Sequence, residues 1–138
     1  MIIERGVFFI IDLENEVFNT VANALRVSYN GISVYGEEVE SPSSFPSVSI
    51  LEGENTESLR NATLLREPET ACTLMYSVNI YSNLKAGKKA QAKGILKVID
   101  EQMHSMGFIR DYGRPVPNLL DRTIYRIVAQ YTRTYQTF

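Results

Sequence analysis

Residues 71–82, ACTLMYSVNIYS, alternate along their whole length. Leu74, Tyr76, Val78 and Ile80 fall on one face, and Met75, Ser77, Asn79 and Tyr81 on the other. A period of two sustained this long is a strand with one face turned to a core. A second run, TIYRIVAQYTRTY at 123–135, puts Tyr125, Ile127, Ala129 and Tyr131 together in the same way. Here tyrosine is expected in the core and arginine outside. Two such strands cannot bury their apolar faces alone, so the rest of the chain must supply the cover.

Two segments have helical spacing. In 12–28, DLENEVFNTVANALRVS, Leu13, Val17, Val21 and Leu25 recur on one side. Asp12 is placed to cap this helix, Glu14 and Glu16 suit its first turn, and Asn30 or Gly31 can end it. From Lys85, the residues Ala92, Ile95, Leu96, Ile99, Met103 and Met106 cluster within about 100° of arc. Ser82 or Asn83 is expected to open this second helix and Gly107 to close it. His104, the one histidine, falls on its charged flank, and Met103 and Met106 fill core.

Shorter strands are expected at 32–35, 47–51 and 107–113, with a polar loop at 37–46 and a turn, RPVPN, at 114–118. From 52 to 70 the pattern is lost, and a loop this long is usually functional. The order helix, three strands, helix, two strands leaves little room for parallel crossovers. It predicts an α+β fold: a mainly antiparallel sheet with two helices on one face, in a single domain over 1–138 with an N-terminal extension at 1–11. At 138 residues such a domain buries roughly two thirds of its unfolded surface and needs no cross-link. Cys72 is the only cysteine, so no internal disulfide can form. It is expected buried and inert.

The AGKK stretch at 86–89 raises the question of a phosphate loop. That motif needs a first glycine where Ser82 stands and a hydroxyl where Lys89 stands, so the mechanics fail at two fixed positions. Cysteine and histidine spacing suits no zinc site, and a nucleophile–base pair built on histidine would have to use His104. Neither a cofactor nor catalysis is expected. The net charge of −2 gives no global pull toward nucleic acid, although the Arg/Tyr strand and the lysine flank keep a nucleic-acid-binding module as an alternative. No apolar run reaches the ~18 residues of a spanning helix, and the first residues do not read as a signal peptide, so an intracellular protein is expected.

Charge is segregated along the chain. Between Val27 and Leu59 stand Glu37, Glu38, Glu40, Glu52, Glu54 and Glu57 without a lysine or arginine; between Lys85 and Ile99 there are five lysines and no acid. Such patches can neutralise within one subunit or join neighbours head to tail. Glu37, Glu38, Glu40, Glu54 and Glu57 on one side, and Lys88, Lys89, Lys93 and Lys97 on the other, are the candidate subunit contacts. Leu59, Leu64 and Leu65, with Arg66 beside them, have no periodic place and are expected to pack on a partner, the other option being their own sheet.

Four stretches, IDLENEVFNTVANAL, GISVYGEEVESPSSFPSVSILEGEN, YSNLKAGKKAQAKGILKVIDEQMHSMGF with the YSVNI before it, and PVPNLLDRTIYRIVAQY, together resemble tail terminator (tail-completion, head–tail joining) proteins of long-tailed phages and prophages of Gram-positive bacteria. The resemblance covers roughly residues 11–131 and rests on the joint order of the stretches. It implies a homo-oligomeric ring, usually of six, that caps the tail tube and joins it to the head connector, with DNA passing through the lumen without sequence-specific binding. It also implies a place in the virion neck, after assembly in the host cytoplasm. It brings no catalytic residues. A head-side connector or stopper protein is the near alternative.

Overall fold

The computed structural model describes residues 11–57 and 71–136. The expected N-terminal extension, save Ile11, lies outside the described residues, and so do Leu59, Leu64, Leu65 and Arg66. Seven elements follow in the expected order: α1 (Glu14–Ser28), β1 (Ser33–Tyr35), β2 (Ser47–Glu57), β3 (Ala71–Ser82), α2 (Lys88–Ser105), β4 (Ile109–Val116) and β5 (Tyr125–Gln136). The strands form one sheet in the order β1-β2-β3-β5-β4. Only β1–β2 is parallel; the other three pairs are antiparallel. The fold is α+β, with both helices on one face.

The alternation of β3 fixes the layers. Its even-numbered residues sit in rows that cross the sheet: Val48–Ile80–Ile127–Pro115, Ile50–Val78–Ala129–Gly113 and Glu52–Tyr76–Tyr131–Arg110. Val17, Val21, Ala22 and Leu25 of α1, and Ala92, Ile95, Ile99 and Met103 of α2, are buried in the same core. Close approach favours a small residue at Gly94, where a Cβ would meet the Tyr29 hydroxyl at 2.5 Å. Cys72 is fully buried, as expected.

Several boundaries differ from the sequence reading, each for a physical reason. Strand β2 does not stop at 51. It runs to Glu57, because a bulge at Gly53 resets the register between Glu52–Tyr76 and Glu54–Met75. The bulge breaks the alternation that would have shown the strand, so the expected loop over 52–57 is strand instead. Strand β4 continues through the expected RPVPN turn as far as Val116. Proline is tolerated there because β4 is an edge strand with one side unpaired.

Helix α2 starts at Lys88, with Gly87 (φ 90°) as its N-cap, later than expected. Ser82 stays in β3, and its hydroxyl hydrogen-bonds with Gln91 Oε1. Leu13 rather than Asp12 is the N-cap of α1, although Asp12 Oδ1 still accepts the Glu14 N–H at 3.0 Å.

The end of α2 agrees with expectation. The Phe108 N–H reaches the Met103 carbonyl at 2.9 Å and the Gly107 N–H reaches that of His104 at 2.9 Å, with Gly107 at φ 90°. This is a Schellman closure. Arg133 departs from the expected pattern. It pairs with Leu74, so it lies on the helix-covered face, and its Nη1 donates to the Met106 carbonyl at 2.6 Å. A cation there complements the negative end of α2.

Candidate functional site

The face of the sheet away from the helices carries Ser47, Ser49, Asn79, Tyr81 and Arg126. Two loops cross its end: residues 36–46, between β1 and β2, and 117–124, between β4 and β5. Between them lies a cavity of about 580 Å³. Its floor is a built polar group. Asn79, 8% exposed, accepts through Oδ1 from Arg126 Nε at 3.1 Å and Nη2 at 2.7 Å. The guanidinium also lies over the Tyr81 ring, 5.6 Å from its centroid. Burial raises the pKa of the Tyr81 hydroxyl; Arg126 opposes that shift and Glu38 adds to it. The hydroxyl donates to the Val39 carbonyl at 3.3 Å, tying down the 36–46 loop.

The other loop is stiff. Asp121 Oδ1 accepts from the Thr123 N–H at 2.9 Å and from its hydroxyl at 2.6 Å. Asn118 Nδ2 donates to the Asp121 carbonyl at 3.2 Å, and Lys88 Nζ to the Thr123 carbonyl at 2.9 Å. Within this loop Leu119 is 77% exposed and Leu120 65% exposed, both at the edge of the large cavity. Arg122 is exposed beside them.

A smaller concavity of about 190 Å³ lies on the helix side, where α1 meets the β1–β2 edge. Phe18, Gly36, Ile50 and Tyr76 line it, with Glu14 at its side. Tyr76 donates its hydroxyl to Glu52 Oε2 at 3.3 Å. The pKa of Glu52 is raised, first by burial and then by Glu14 and Asp12. Burial and Glu52 raise the Tyr76 hydroxyl as well. Among the described residues no lysine or arginine pairs with Asp12, Glu14 or Glu52.

A carboxyl whose folded pKa is raised binds its proton more tightly in the folded state, so its ionisation costs stability. The cost is absent below the ordinary value of 4.5 and grows as pH rises through the interval above it. Glu52→Gln should therefore raise the melting temperature at pH 7 and lose that advantage near pH 4. Melting curves at the two pH values check this.

The candidate contacts are dispersed. Glu37, Glu38 and Glu40 are exposed on the 36–46 loop, and Glu38 and Glu40 line the large cavity. Glu54 and Glu57 are exposed at the far end of β2, carried away at roughly 3.3 Å per residue, so the acidic stretch makes two patches. Lys89, Lys93 and Lys97 are exposed along α2, while Lys88 is half-buried on Thr123. The described residues contain no ion pair between these lysines and these acids.

His104 has an exposed side chain and lies 3.4 Å from Asp100, on the flank as expected. Among the described residues no three His, Cys, Asp or Glu gather to hold a metal ion. Arg126 and Arg133 are each tied to a neighbour rather than aligned as an exposed stripe. The sequence reading singled out neither Leu119 nor Leu120, and took Arg122 and Arg126 only as part of the Arg/Tyr strand, without the bond of Arg126 to Asn79. The one available signal was the LL pair in PVPNLLDRT, which has no periodic partner on either side.

No family model matches the sequence, and no curated protein matches it. Among solved structures, the chain is similar to the sheath/tube terminator of PVC, an extracellular contractile injection system, seen in its extended state by cryo-electron microscopy. The identity is 12% and the TM-score 0.45, over 94% of this chain and 59% of that one. This chain thus spans less than two thirds of that protein's length.

Proposed function

We propose that the chain is a structural subunit of a phage-tail-like assembly, a tail terminator that forms a ring on the end of the tail tube. One observation carries this reading: two exposed patches of opposite charge, Glu37, Glu38 and Glu40 on a loop and Lys89, Lys93 and Lys97 on α2, with no ion pair joining them among the described residues. Oppositely charged surfaces at different places on one molecule suit a head-to-tail contact, which closes into a ring when the rotation allows. The joint order of the four sequence stretches supports the same reading. In it the ring, of six subunits, joins the tube to the head connector, DNA crosses the lumen without base-specific contact, and the protein resides in the virion neck.

Electron microscopy of the purified chain mixed with tail tubes tests the proposal. Rings seated on tube ends are expected. Bare tube ends, together with duplex-DNA binding that falls steeply with salt, would favour the nucleic-acid module instead. Lys89→Glu with Lys93→Glu should weaken self-association roughly tenfold at low salt and much less at high salt, because exposed charges are screened within about a Debye length. Sedimentation at two salt concentrations reads this out.

A further inference from the structure

The stiff 117–124 loop raises a question that the charged patches leave open. Exposed leucines are common singly, but here two adjacent ones stand at the edge of the large cavity, 77% and 65% exposed, in a loop closed by its own hydrogen bonds. The small concavity poses the complementary question. Phe18, Ile50 and Tyr76 line it, Glu14 stands at its side, and Glu52, bonded to Tyr76, feels the charges of Glu14 and Asp12, with no lysine or arginine paired to them among the described residues.

We propose that the 117–124 loop of one copy docks into this concavity on a second copy, Leu119 or Leu120 entering against Phe18, Ile50 and Tyr76 while Arg122 meets Asp12, Glu14 and Glu52. The concavity, at about 190 Å³, has room for one aliphatic side chain, and the second leucine rests on its rim. Charge complementarity selects the occupant. The loop brings Arg122, while its one acid, Asp121, is engaged by Thr123, and it stands next to the lysine flank, to which Lys88 bonds it directly. The receiving edge is acidic, with Glu37 following Gly36 in the chain. Loop and concavity are different surfaces, so the contact is heterologous and propagates from copy to copy. The inference rests on the proposed self-assembly and names the surfaces that make it.

Disulfide trapping tests it. Leu120→Cys and Asn15→Cys, the latter at the exposed rim of the concavity, are combined in a Cys72→Ala background and oxidised at high protein concentration. A ladder of dimers, trimers and higher species is expected, about tenfold stronger than from a control pairing Leu120→Cys with the exposed Val27→Cys. Adding Arg122→Glu should abolish the ladder, and adding Glu14→Arg to that variant should restore it. Leu120, Asn15, Val27, Arg122 and Glu14 are exposed, whereas Cys72 is buried, so circular dichroism of every variant, the Cys72→Ala background included, verifies folding. A yield no higher than the control overturns the contact. If the unmodified chain still assembles, only the contact fails; if it remains monomeric as well, the self-assembly reading fails with it.

Discussion

Phe108→Ala should destabilise the protein by about 3–5 kcal/mol, the range for deleting a large aromatic from a close-packed core. Phe108 is 1% exposed and follows directly on the Schellman closure of α2. Its ring meets Tyr76 edge to face, with centroids 5.4 Å apart and planes at 82°. Tyr76 in turn pairs with Tyr131 across β3 and β5. The side chain therefore joins the end of α2 to the middle of the sheet, and its loss leaves a cavity bounded by both. For a chain of this length the melting temperature should fall by roughly 10–20 °C. Phe108→Leu, which keeps most of the volume, should cost about 1.5 kcal/mol or less. Thermal and denaturant unfolding of the two variants check the pair. A Phe108→Ala loss below about 1 kcal/mol would mean that this core is not packed as described.

Gly107→Val is expected to cost about 2–3 kcal/mol. Gly107 sits at φ 90°, a conformation that costs a residue with a side chain roughly 1–2 kcal/mol, and a β-branched one more. The added Cβ would also lie 3.1 Å from Arg133 Nε and 3.3 Å from its Cζ. The guanidinium would have to move, which threatens its bond to the Met106 carbonyl and exposes the end of α2. Gly107→Ala meets the same atoms without the β-branch and should cost about half as much. Hydrogen exchange at the Phe108 amide should quicken in both variants relative to the middle of the helix.

Much of the fold was legible because a few segments keep a strict period. The buried set Ala92, Ile95, Ile99 and Met103 of α2 follows directly from its helical spacing, as the core face of β3 follows from its alternation. Legibility failed where backbone geometry changed phase. Gly53 inserts a bulge into a polar stretch, so half of β2 looked like loop. Pro115 resembles a breaker, yet an edge position tolerates it. The charged patches were visible as composition, but their division into two acidic groups depended on β2 running to Glu57.

The exposed leucines were hidden for a different reason. Nothing local distinguishes a leucine held outward from one folded inward. That depends on the turn bonds of Asp121 and Asn118 and on Lys88, which is distant in sequence. Arg126 shows the same limit, since its role follows from Asn79 on the neighbouring strand.

In the proposed assembly, copies of the chain join through opposed charged surfaces. Light scattering on the purified protein, from low to high concentration and at two salt levels, reads this out. A species of roughly six times the 15.6 kDa chain mass is expected, growing with concentration and receding as salt rises. A strict monomer at every concentration and both salt levels would rule the assembly out.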